Sequence, residues 1–203
     1  MQFVETFFLA TLMSILGFLP PGMMNMTTVK VALEQSRKNA LQFILGTLFI
    51  IAIQAYIALY FSQYLAQNPD IVKTLSYIGI FVFIALALLF FRQAKSNKII
   101  GGIADGSLIS GIKMASMNML AIPFFLAYST AMEASGLIQN IVPDRYFFVA
   151  GAVFGCFLLF SAYMLLAEFI QKRAVFVSRN INYILSGLFV FLAVITTYKV
   201  IFT

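Results

Sequence analysis

Leu19-Pro20-Pro21-Gly22-Met23-Met24-Asn25 lies inside a stretch, residues 6–29, that has no charged side chain. Two prolines and a glycine there remove backbone donors and interrupt a helical ladder. A bilayer tolerates freed backbone groups only where protein or a water-filled cavity satisfies them. An interrupted membrane helix therefore offers free amides, free carbonyls and half-helix dipole ends to a polar ligand. One proline alone would fit a simple packing kink. Pro20, Pro21 and Gly22 followed by the amide of Asn25 point instead to a binding site. A second set of the same kind stands at 117–123, where Asn118 and Pro123 fall in Met117-Asn118-Met119-Leu120-Ala121-Ile122-Pro123. Amide side chains have more donors and acceptors to satisfy than hydroxyls. Asn25, Gln54 and Asn118 are accordingly the candidates to line a cavity, with Tyr128 along the path.

The chemistry these residues could do is binding, not bond-making. A hard cation wants carboxylates, and a transition metal wants His or thiolate. The chain has no His and a single cysteine, Cys156, which reads as a small packing residue. No acid or base falls in the middle of an uncharged stretch, so a buried ion pathway is not written in the sequence. Glu168, at the end of the fifth stretch, comes closest. It is the candidate for proton coupling, although a solvated helix end is the plainer reading. HExxH, GxSxG and an ATP-binding motif are absent, so an enzyme is not expected, nor is any cofactor. A site of amides, backbone dipoles and aromatic walls suits a small neutral or zwitterionic solute. Its carboxylate could meet a half-helix N-terminus and its ammonium could meet freed carbonyls.

The elements that must position these residues are membrane helices. The 203 residues are 62% hydrophobic and only 10% charged, against about 25% charged in soluble domains. Charges cluster, and six uncharged stretches separate them: 6–29, 39–69, 74–91, 114–132, 146–167 and 180–198. Each is about as long as a spanning helix needs, ~17–25 residues, or longer. The expected fold is thus an all-α integral membrane protein with six transmembrane helices and breaks in spans one and four. The first apolar run is too long for a signal-peptide core and lacks a basic leader, so it should be retained.

Ten of the 13 Lys and Arg residues fall in the connections after spans one, three and five. Basic loops face the cytoplasm, which places both termini outside. The net charge of +6 is this asymmetry, with some attraction for anionic lipid, and calls for no nucleic-acid partner. The long connection between Phe91 and Met114 divides the chain into about 1–95 and about 96–203 within one transporter-like domain, 1–203. Three spans per half give the halves opposite orientation, the arithmetic of an inverted repeat. Span three, 74–91, is almost featureless and should face lipid or a partner subunit. Gly151 and Gly155 have GxxxG spacing, which suits close packing within the chain, with a homodimer seam as the alternative.

The run Gly17-Phe18-Leu19-Pro20-Pro21-Gly22-Met23-Met24-Asn25, with Ser36-Arg37-Lys38-Asn39-Ala40 and Gly46, resembles the lysine exporter (LysE/RhtB) family of bacterial amino-acid exporters. That family has a Pro-Gly-Pro signature in its first span and a Gly-Arg-Arg-like turn before its second. It also has an Asn-Pro-Lys-like motif in its fourth, which the Asn118 region resembles. Here Met23 replaces the last proline of the signature, Ser36 replaces the glycine of the turn, and Asn118 and Pro123 are apart. Some members carry an acidic residue in the second span; residues 46–52 have none, which argues against a cationic substrate. The resemblance implies an exporter of two inverted three-helix repeats in the bacterial cytoplasmic membrane. Its substrate would be an amino acid or similar metabolite, moved by alternating access and exchanged for protons. Two other readings stay open: a membrane assembly factor without transport, whose Pro-Pro-Gly break would be packed dry, and a channel. A transporter of a non-amino-acid solute is a further variant.

Overall fold

The computed structural model of the chain describes residues 2–68, 105–118, 120–138 and 141–202, and isolated positions between 71 and 95. Among the described residues all regular structure is helical: α1 (Gln2–Phe18), α2 (Met23–Glu34), α3 (Arg37–Ala66), α4 (Leu108–Ser116), α5 (Ala121–Ala134), α6 (Val142–Leu165) and α7 (Ala167–Phe202). The boundaries have local causes. Ser107 caps α4 by accepting from the Ser110 amide at 3.1 Å. The Asp105 carboxylate accepts from both the Ser107 hydroxyl and its amide, which holds Asp105 below the usual carboxylate range. α5 ends in a Schellman turn: the Leu137 amide reaches Met132 O and the Gly136 amide reaches Glu133 O. Gly136 has φ +72°, a conformation that glycine adopts without a Cβ penalty. α6 opens with Pro143 and Asp144 in its first turn, both suited to a helix start.

Two helices, α3 and α6, are each long and apolar enough to cross a bilayer. The pairs α1–α2 and α4–α5 bring the number to four if each bent pair is one span. The bends are 81° between α1 and α2 and 67° between α4 and α5. The third expected stretch is described only at separate positions, all of them helical. The sixth falls within α7, and here the structure corrects an expectation. The basic connection at 172–179 is helical, because Ala167 to Arg179 contains neither glycine nor proline to stop the helix that begins at Ala167.

The chain forms two compact units, Met1–Gln63 with Ile100–Lys172, and Tyr64–Ile99 with Arg173–Thr203. In the smaller unit the third and sixth stretches pair. The Ser186 hydroxyl donates to Ala87 O at 2.9 Å, and Phe83 and Phe91 meet Phe189 and Tyr183.

The larger unit holds both broken helices. Glycines set its helix spacing. A Cβ added at Gly151 or Gly155 on α6 would overlap the Phe7 or Thr11 carbonyl of α1, and the Thr11 hydroxyl donates to Gly151 O at 3.1 Å. The GxxxG pair is therefore occupied within the chain. Likewise, a Cβ at Gly46 on α3 would overlap the Leu108 carbonyl, and one at Gly111 on α4 would overlap Phe43 O. Small residues let membrane helices approach closely enough for backbone contact, which lipid-driven association requires. Other buried hydroxyls bond their own helix, Thr28 to Met24 O and Thr47 to Phe43 O, and Thr11 also reaches Phe7 O.

These contacts predict that Gly46→Ala and Gly155→Ala each lower the unfolding temperature in detergent, by the equivalent of about 1–3 kcal/mol of overpacking. Gly187→Ala, where a Cβ meets nothing within 4 Å, should leave it unchanged or slightly raised. Equal behaviour of all three would refute the packing account.

Candidate functional site

The first break runs from Leu19 to Gly22. Ending α1 at Phe18 strands the carbonyls of its last turn, because the next residues include two prolines without N–H groups. Asn25, buried on α2, reaches back to them. Its Nδ2 donates to Phe18 O at 2.8 Å and to Pro20 O at 3.0 Å. Tyr163, from α6, donates its hydroxyl to Leu19 O at 2.7 Å and also meets the Asn25 side chain. Three successive carbonyls, of residues 18, 19 and 20, are thus closed by two side chains. α2 restarts at the exposed Gly22, whose extended backbone supplies no side-chain cap. The positive end of α2 is therefore open to an anion. Behind it, Met24 to Val29 are buried without interruption.

The second break runs from Met117 to Leu120. Gln54 on α3, only 6% exposed, donates its Nε2 to Ala115 O at 3.1 Å and to Asn118 O at 3.5 Å. It does for α4 what Asn25 does for α1. Asn118 is half-buried and turns inward on its own loop, its Oδ1 accepting from the Leu120 amide at 3.4 Å. Pro123 lies inside α5, in its first turn, and is exposed. An amide there would have no intrahelical partner, so the proline costs no hydrogen bond and does not itself make the break. α5 also begins without a side-chain cap, at Leu120. The Gln54 Oε1 atom is buried and has no hydrogen-bond partner among the described residues.

The tertiary structure brings the two breaks together. Phe18, the last residue of α1, packs edge-on against Phe124 (5.8 Å) and tilted against Phe125 (5.9 Å), in the first turns of α5. Phe160 of α6 closes the other side at 6.3 Å. A Cβ at Gly17 would overlap the Phe124 ring, so that glycine is what lets α5 approach. Tyr128, half-buried one turn further along α5, donates to Leu9 O of α1 at 3.3 Å and lies tilted against Phe148. The first break, with Pro20, Pro21, Gly22 and Asn25, thus meets the start of α5 through Phe18, while Gln54 and Asn118 lie at the second break and Tyr128 reaches back to α1 at Leu9.

Glu168 is not at this junction. It is exposed in the first turn of α7, at a cleft it shares with Arg37 and Lys172.

Two groups at work in the structure carried little sequence signal. Thr27 Oγ1 and Ser161 Oγ are buried without hydrogen-bond partners among the described residues; isolated hydroxyls in apolar runs are common enough to pass as packing. Asp144 and Arg145 read as loop charges, yet they are 1% and 9% exposed. Thr6 donates to Asp144 at 3.5 Å, and Arg145 donates to the Gln63 carbonyl oxygen. Nearby on the same helices, Ser62 bonds the Thr130 hydroxyl at 3.0 Å and donates to Glu133 at 3.4 Å. These bonds tie α1, α3, α5 and α6 at the ends away from the breaks. The available signal was Pro143-Asp144-Arg145 itself, since a helix start draws Asp into its first turn, and this helix start is buried.

An all-α membrane protein in which two helices break, cap their freed carbonyls with amides and meet at the breaks has the layout of a translocator. The sequence pattern of the LysE type translocator family matches residues 15–199. The chain belongs to that family and is a multi-pass membrane protein of the transporter class. Comparison with curated proteins and with solved structures gave no match.

The caps make a prediction about stability. Asn25→Ala leaves two half-buried carbonyls without their donor and should cost about 1–2 kcal/mol, read as a lower unfolding temperature in detergent. Tyr163→Phe should cost less, and the double variant should depart from additivity, because both side chains serve one run of carbonyls. An additive cycle would remove Tyr163 from the cap.

Proposed function

We propose that the chain is a secondary exporter of a small zwitterionic metabolite of the amino-acid type, with its substrate site at the junction of the two breaks. One observation carries this reading. Gln54, buried at the second break, uses its amide N–H groups to close α4, and among the described residues its carbonyl oxygen meets no donor. A buried acceptor without a donor costs free energy unless something bonds it. A substrate ammonium is such a donor. The uncapped N-terminus of α2 at Gly22 is the counterpart for the carboxylate. The Phe18–Phe124–Phe125 cluster packs the space between the breaks. A solute reaches Gln54 when these rings separate, so they act as a gate.

Alternating access follows if the two halves are inverted repeats. In each half a bent helix pair is followed by a straight helix, α1–α2 then α3, and α4–α5 then α6. In each, glycines of the straight helix take backbone contacts from the bent pair of the other half. The polar ties through Thr6, Ser62, Gln63, Glu133, Asp144 and Arg145 then close the outer ends, given the cytoplasmic placement of the basic connections. A zwitterion carries no net charge, so membrane potential alone does not drive it. Exchange for a proton would supply about 2.3 kcal/mol per 100 mV for each charge moved.

The test is amino-acid efflux. Bacterial cells expressing the wild type or Gln54→Met are loaded with mixed dipeptides, and free amino acids outside are followed by mass spectrometry. Wild-type cells should release one or a few amino acids faster than empty cells. Gln54→Met, at equal membrane abundance, should lose about tenfold or more of that rate, as removal of a hydrogen bond to a charged group does. Release no faster than from empty cells for every amino acid would overturn the amino-acid reading. It would leave a different solute or an assembly role.

A further inference from the structure

We propose that the cleft between the C-terminal half of α2 and the turn joining α6 to α7 binds the head of an anionic phospholipid. The cleft has a volume of about 370 Å³. Leu33, Met164 and Ala167 form its apolar floor, and Arg37, Glu168 and Lys172 stand on its rim. Lys30, the cation of α2 itself, is turned to Glu34 at 3.9 Å.

Three features select the ligand. The first is location. Arg37 and Lys172 belong to the basic connections that charge asymmetry places on the cytoplasmic side, where the leaflet is rich in anionic lipid. Basic pockets between membrane helices on that face are suited to lipid heads. The second is charge. Two cations and one carboxylate leave a single positive charge. A phosphodiester whose head carries no other charge, as in phosphatidylglycerol, neutralises it, and a head hydroxyl can donate to Glu168. A zwitterionic amino acid would leave the charge uncompensated. Arginine suits the phosphate in particular, because its planar fork presents paired donors. The third is the adjoining surface. Leu165 and Phe169, beside the rim, are 58% and 59% exposed, and such apolar surface in a membrane protein takes an acyl chain. α2 is the helix that restarts after the first break, so a lipid seated here braces that break from its far end.

The test is lipid retention by the whole protein, measured by native mass spectrometry after titration with phosphatidylglycerol or phosphatidylcholine. Wild-type protein should retain one phosphatidylglycerol at concentrations where phosphatidylcholine is lost. Arg37→Ala/Lys172→Ala should bind phosphatidylglycerol about twenty-five-fold more weakly, at about a factor of five per basic residue. Lys38→Ala/Lys113→Ala removes two exposed cations that do not line the cleft, and it should bind as the wild type does. Equal retention of the two lipids, or equal loss in both double variants, would overturn the proposal. So would displacement of phosphatidylglycerol by excess free amino acid, which would make the cleft a solute vestibule. The readout is lipid binding, so its failure leaves the exporter reading untouched.

Discussion

A backbone carbonyl in hydrocarbon must find a donor, and most of this structure follows from that demand. Breaking α1 at Pro20-Pro21-Gly22 and α4 before Ala121 exposes carbonyls that the helix would otherwise have used. Asn25 and Tyr163 answer the first break, and Gln54 answers the second. Each answering side chain comes from a neighbouring element, so each also fixes where that element lies. The bends can persist only because α2, α3 and α6 hold these donors in place.

Close approach is the second requirement, and glycine supplies it. α6 meets α1 at Gly151 and Gly155, and α3 meets α4 at Gly46 and Gly111. At each crossing, backbone lies where a Cβ would be. Lipid tails are as apolar as leucine, so apolar contact alone gives little net attraction between membrane helices. Tight backbone contact and the few interhelical hydrogen bonds take over that role. The result is a larger unit in which rigid crossings flank a junction of short, uncapped helix ends. That contrast suits a device that moves at the junction and not at the crossings.

Between the breaks stand rings: Phe18, Phe124, Phe125 and Phe160. Aromatic faces and edges exchange partners at modest cost, since each such pair contributes about 0.5–1.5 kcal/mol beyond its buried area. The polar ties among α1, α3, α5 and α6 at the opposite ends are of another kind. Asp144 and Arg145 are withdrawn from water there, and buried charges are costly to leave unpaired. An apolar gate at the breaks and a polar seal at the helix ends give the proposed export cycle two closures with different energetics.

The sequence by itself determined the membrane class and the family, the positions of the breaks to within a few residues, and the close-packing role of Gly151 and Gly155. These follow from local chemistry: uncharged run length, missing backbone donors and absent side chains. It also named Asn25 and Gln54 as amides with too many bonding groups to be idle. It misplaced where the fourth-span break ends, because Pro123 reads as a breaker and only its place in a first turn makes it harmless. It took the 172–179 connection for a loop, since charge clusters there and helix propensity is silent about solvent. Only the tertiary structure decided which carbonyls Asn25 and Gln54 serve, that Phe18 meets Phe124, and that Asp144 and Arg145 are buried. Those are contacts between residues up to about 140 positions apart, such as Leu19 and Tyr163. A periodic pattern tells which face of a helix is apolar, but the partner of that face is fixed by packing of the whole unit.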